Sequence, residues 1–283
     1  MTTVIVAGSA LLLLLGIWLI VVWGGKTIQP PVQNGPYPNH HAARSAALRR
    51  YFWWANLCCF SALISGLLVA WPGGRLVMRI LAETSPDSAQ GRFTEAQATV
   101  GLATPGGTLS LLLFAGLPSA FVAALVYLII YRWLPQGRLS GPLAGLVGLI
   151  LFGAGIEPFR TDNVDFAFIG PGWLSVLLFT VLALLLGAMV AAAARRYSQG
   201  LPLPSRRAVR AYLPFLATIL FPPAAVLIML GALIVTVWPG VATGWHHRWV
   251  STRYLWAGRA ILALAAILSL PAFVSSVLFV VSV

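Results

Sequence analysis

The chemistry-bearing residues of this chain are concentrated in one short stretch, Ile156-Glu157-Pro158-Phe159-Arg160-Thr161-Asp162-Asn163-Val164-Asp165-Phe166, which holds three of its six acidic residues. Carboxylates beside a membrane can ligate a divalent cation through hard oxygen donors. They can also exchange protons as acid and base, or hold a cationic ligand. The alternative is structural: Arg160 pairs with Glu157 or an aspartate, while Asp162 and Asn163 shape a turn. Glu157, Arg160, Asp162, Asn163 and Asp165 are therefore the candidate ligand-binding set. Their spacing matches no metal or nucleophile motif, so no catalytic residue, metal ligand or cofactor is expected.

Other reactive types are poorly placed. His40-His41 and His246-His247 are adjacent pairs, without the spacing of three or four that puts two ligands on one helix face. Cys58 and Cys59 are neighbours inside an apolar run and read as small apolar residues, since adjacent cysteines rarely meet disulfide geometry. Trp245-His246-His247-Arg248-Trp249 with Arg253 and Tyr254 reads as an aromatic belt with snorkelling arginines rather than a nucleic-acid surface. The chain has no GxSxG, HExxH, Walker A or GxGxxG motif. No Asp, Glu or Lys occupies the centre of an apolar run, which argues against proton- or ion-coupled transport.

The elements that must position these residues follow from composition. Hydrophobic residues make up 59% of the 283 and charged residues 8%. Soluble domains run at about 45–50% and about 25%. A spanning helix needs about 20 apolar residues against a core about 30 Å thick. Qualifying runs are Val4–Trp23, Tyr51–Trp71 closed by Pro72-Gly73-Gly74, Thr108–Leu134 with Pro118 as a kink, Trp173–Ala194, Leu213–Trp238, and Trp256 to the C-terminus. Val4–Trp23 lacks a basic start and a cleavage site, so it reads as a retained helix rather than a signal peptide. Gly141–Ile156 is short and glycine-rich, either a thin span or a re-entrant segment. The expected fold is an all-α polytopic bundle of about seven transmembrane helices, forming a single integral membrane domain over 1–283.

Charge sets the expected threading. With seven spans, the first, third and fifth loops carry eleven basic residues and the others seven. Basic residues accumulate on the cytoplasmic side, which puts the N-terminus outside and the C-terminus inside. All six acids then fall on the outer face, in loops 72–107 and 156–172. Segment 24–50 is a cytoplasmic linker, extended around Pro30, Pro31, Pro36 and Pro38, with Asn39 as an N-cap for the second helix. In loop 72–107, Arg75, Arg79 and Glu83 recur every four residues opposite Leu76, Val77, Ile80 and Leu81, the pattern of a short interfacial helix. Thr94-Glu95-Ala96-Gln97 fits a capping box and predicts a second helix start. Thr104-Pro105-Gly106-Gly107 is a turn before the third span. Ser61 to Ser65 and Gly187 to Ala191 are small-xxx-small pairs suited to close helix packing.

Two stretches carry a resemblance: GGRLVMRILAETSPDSAQGRFTEA (Gly73–Ala96) and IEPFRTDNVDFAFIGPGWLSVLLF (Ile156–Phe179), about a fifth of the chain. They resemble a group of bacterial multi-pass membrane proteins with similar GGR, SPD…GR-x-TEA and DN-x-DF…GPGWL stretches. The resemblance implies a bacterial plasma-membrane location and no activity. The expected partners are the bilayer and other membrane proteins, not nucleic acid. The expected role is a non-enzymatic accessory, assembly or sensory component working through the outer loops. The alternatives are a channel or transporter for a small or lipid-like solute, or a lipid-modifying enzyme at the outer interface.

Overall fold

In a computed structural model, residues 2–31, 40–239 and 251–282 are described, and every regular element among them is helical apart from one isolated bridge between Phe93 and Thr99. Among the described residues, five helical stretches are long and apolar enough to cross a membrane. Helix α1 (Thr2–Trp23) has 22 residues, a rise of about 33 Å. Helix α2 (His40–Ser65) passes through a π-turn at Gly66–Ala70 into α3 (Trp71–Glu83). Helix α4 (Pro105–Leu111) does the same through Leu112–Gly116 into α5 (Leu117–Ile130). Helices α6 (Ser140–Phe152), α7 (Gly172–Ser198), α8 (Ala217–Leu220), α9 (Pro222–Val237) and α10 (Thr252–Ser282) follow, with a 3-10 stretch at Arg206–Leu216. Pro36, Pro38, Asn39 and the segment from Trp245 to Trp249, with His246-His247, lie outside the described residues.

The second span does not end at Pro72-Gly73-Gly74. The chain stays helical to Glu83 because the π-turn absorbs the proline. Trp71 N–H bonds to Gly66 O, a wide turn just ahead of the residue that has no N–H to give. Pro118 is handled the same way, with Leu117 N–H on Leu112 O. The two wide turns face each other: a Cβ on Gly66 would stand 2.9 Å from Leu117, and one on Gly116 3.0 Å from Trp71. Arg75, Arg79 and Glu83 therefore lie on a continuation of α2 rather than on a separate helix. Arg79 pairs with Glu83, and Val77 and Leu81 pack against Ile169 and the start of α7.

The glycines of the short fourth run have a packing reason. A Cβ on Gly145 would overlap the Ala183 carbonyl, one on Gly187 the Gly141 carbonyl, and one on Gly141 would stand 2.7 Å from the Ala188 backbone. Helices α6 and α7 thus touch backbone to backbone, the use that small residues serve in membranes. Thirteen residues give α6 a rise of about 20 Å.

The sixth run, Leu213–Trp238, departs from the expected single span. It breaks at Phe221, whose backbone leaves the helical region before Pro222. Both arms lie against the middle of α2. Asn56 donates to Ala211 O at 2.9 Å, Phe215 meets Phe52, and Tyr51 OH donates to Ile228 O at 2.8 Å. The run thus doubles back along α2 at Phe221.

This fold-back changes where the chain finishes. Helix α10 starts beside Trp133, where Arg259 donates to its carbonyl. It finishes with Val280 among Leu149, Phe159 and Phe166 and against Gly172. The end of α10 therefore lies beside the acidic loops, whereas the expected threading puts the C-terminus opposite them.

Candidate functional site

The two acidic loops, residues 84–104 and 153–171, meet. Three helix ends bring them together: α3 delivers the first loop, α6 delivers the second, and α7 starts where the second finishes. Leu81 of α3 packs with Ile169 of the second loop. Phe159, fully buried, anchors that loop against Phe179 of α7 and Phe273 of α10.

Thr94-Glu95-Ala96-Gln97 does not start a helix. Thr94 N–H bonds to Ala98 O at 2.8 Å, Gln97 N–H to Thr94 O at 2.9 Å, and Ala98 N–H to Thr94 Oγ1 at 3.1 Å. Gln97 takes φ +58° to close the turn, a conformation that a helix start does not use. The threonine that would cap a helix caps a hairpin tip instead, and Glu95 sits on that tip.

From there Glu95 joins both halves. Its carboxylate pairs with Arg160, and its backbone N–H is accepted by Asp165 Oδ1 at 2.9 Å. Arg160 also holds Asp162 at 2.7 Å through Nε. Asn163 Oδ1 accepts Asp165 N–H at 2.9 Å and so sets the turn that aims Asp165 at Glu95. Two further ties lie beside this knot. Gly170 N–H donates to Ser85 Oγ at 2.8 Å, and the Arg92 guanidinium stands 4.3 Å from the centre of the Phe168 ring.

Partial burial raises the carboxyls of Glu157 and Asp165 above their ordinary value, the withdrawal of water being the main cause. At Glu157 the Arg160 charge opposes the rise, and Glu95, Asp162 and Asp165 add to it. At Asp165 the bond from the Glu95 N–H opposes it. Among the described residues no group of three or more His, Cys, Asp or Glu stands where it could hold a metal ion.

The chain matches no family model, no curated protein and no solved structure. Of the sequence candidates, the structure brings together Arg160, Asp162, Asn163 and Asp165. Among the described residues Glu157 makes no hydrogen bond or ion pair, though it stands close enough to Arg160 to feel its charge. Arg75 lies elsewhere. It is 9% exposed and donates to Thr108 Oγ1 and, at 3.2 Å, to Thr104 O. It thus locks α3 to the start of α4, where Thr104 Oγ1 caps the helix by accepting Gly107 N–H. Glu95 and Ser85 are the members that the residue reading did not single out. The signal for Glu95 was its place among the acids of loop 72–107. A local capping pattern claimed it first.

Proposed function

We propose that this chain is a non-enzymatic integral component of a bacterial plasma membrane. It works by association with other membrane proteins, and its tied acidic cap is the outer face presented to them. One observation carries the reading: the carboxylates of Glu95 and Asp165 are engaged in joining the two loops, with Arg160 paired to Glu95. Acidic groups also remain at the surface: Asp162, paired with Arg160, is 74% exposed at its side chain, and Glu83, paired with Arg79, and Asp87 are exposed.

We read the threading as six crossings, by α1, α2–α3, α4–α5, α6, α7 and α10, with Arg206–Val237 returning to the side it left. On this reading the four basic residues at the acidic end are Arg75, Arg79, Arg92 and Arg160. The other fourteen of the eighteen belong to the opposite end or to the segment joining α9 and α10. That asymmetry exceeds the eleven-to-seven division of seven spans and supports a cytoplasmic basic end. The helix interfaces favour association over solute passage. They are filled by Trp53, Leu57, Ala62, Ala124, Val190 and Ala191, all nearly or fully buried.

The test is site-specific photocrosslinking in the native membrane, with the crosslinker at position 162 and a control at position 264 on the exposed face of α10. Discrete higher-mass adducts are expected from position 162 and should weaken when Glu83 and Asp87 are replaced by their amides. A monomer from both positions, in membranes and in mild detergent, would sink the proposal.

A further inference from the structure

At the opposite end of the bundle a cleft of about 260 Å³ opens between the end of α1, the end of α5, the last turns of α7 and the start of α10. Thr27, Tyr131, Arg132, Gln136, Arg195 and Leu255 line it. Arg195 is the unusual member. It is 5% exposed, and its guanidinium donates to Gly137 O at 2.8 Å and to Ser140 Oγ. Neutral acceptors orient that charge without neutralising it. None of the chain's six side-chain carboxylates is available, because Glu83, Asp87, Glu95, Glu157, Asp162 and Asp165 all belong to the far end. Buried charges are ordinarily paired. Arg132 brings a second guanidinium to the same cleft, and Thr27 and Gln136 add side-chain hydrogen-bonding groups.

We propose that this cleft binds a phosphate monoester or diester anion, with Arg195 as the fixed inner cation and Arg132 as the outer one. Guanidinium is the group suited to phosphate oxygens. A polar floor and an apolar wall at Leu255 and Ile28 suit a phosphate carried on an acyl-bearing body. Basic pockets between helix ends are where anionic headgroups dock. The shared chemistry is the phosphate, and its source is either a lipid headgroup or a soluble phosphate. The inference rests on the basic end alone and is independent of the association reading.

The experiment uses the full chain in phosphatidylcholine nanodiscs with or without phosphatidylglycerol. Native mass spectrometry scores retained lipid, and a thermal-shift titration with inorganic phosphate follows in the phosphatidylcholine discs. The wild type is expected to retain phosphatidylglycerol over phosphatidylcholine, and R132Q to lose about fivefold of that preference. R206Q, on an exposed arginine outside the cleft, is expected to behave as wild type. R195K tests the inner position with the charge kept and the planar fork removed. A phosphate-induced stabilisation that R132Q abolishes assigns the site to a soluble phosphate. Its absence, together with retained phosphatidylglycerol, assigns the site to a lipid. Equal retention in R132Q and wild type without any R132Q-sensitive phosphate stabilisation, or an equal loss in R206Q, overturns the proposal.

Discussion

Asp165 accepts the backbone N–H of Glu95 at 2.9 Å, across 70 residues of chain. That bond ties a side chain of one acidic loop to the main chain of the other. Asp165→Ala should free the hairpin tip while leaving the helices in place. Hydrogen exchange at the Glu95 amide is expected to quicken about tenfold, the worth of one hydrogen bond. Unchanged exchange there would mean that the tip is held by other contacts.

The cap should respond to pH in a defined direction. Glu157 and Asp165 are both held above the ordinary carboxyl value, mainly by burial. Through the window between the ordinary value and the raised one, the folded cap binds more protons than the unfolded chain. These two groups therefore contribute most below that window, and their contribution is lost as pH rises through it. E157Q cannot ionise, so its stability relative to wild type should increase as pH rises across the window. Thermal unfolding in detergent at stepped pH checks this; a falling difference would refute the assignment.

Two glycines one turn apart on α6 should behave oppositely. A Cβ on Gly145 would overlap the Ala183 carbonyl, whereas a Cβ on Gly148 meets nothing within 4 Å. Gly145→Ala is expected to cost about 1–3 kcal/mol by forcing α6 from α7. Gly148→Ala should be neutral or stabilise by up to about 1 kcal/mol. Denaturant titration in mixed micelles distinguishes them.

Thr108 bears on Arg75. Thr108→Val removes the hydroxyl that takes both Nε and Nη2 of a side chain that is 9% exposed. The loss should be about 1–3 kcal/mol, the range for a buried polar group left unpaired. Thr108→Ser keeps the hydroxyl and should recover most of it. Equal unfolding midpoints for the two variants would show that Arg75 finds another partner.

The threading gives a test in cells. If Arg206–Val237 returns to the side it left, reporters fused before Thr2 and after Ser282 should report the same compartment. A reporter inserted between Val237 and Thr252 should report the other. Opposite compartments for the two ends would restore an odd number of crossings.

Much of this architecture is legible in the residues, for a local reason. Whether a run of about 20 residues prefers lipid depends on its own side chains. Accordingly, Trp173–Ala194 is read within a few residues of the observed Gly172–Ser198. Proline and glycine misled the reading at Pro72-Gly73-Gly74, because their breaking tendency is local while the π-turn that accommodates them is completed by packing against Gly116 and Leu117. The sixth run shows the same limit. Hydropathy records that Leu213–Trp238 is apolar, but a run that crosses and a run that returns have the same composition.

The sequence by itself determined that the chain is a helical membrane protein, and that its six acids fall into two stretches around Glu95 and Asp162. It also located the small residues that let helices touch. Only the tertiary structure decided that those stretches form one cap, that α10 ends beside it, and that Arg195 faces a cleft with no carboxylate near. Periodicity and composition act over a few turns of helix. The pairing of Glu95 with Arg160 spans 65 residues, and it exists only because α3, α6 and α7 bring their ends to one place.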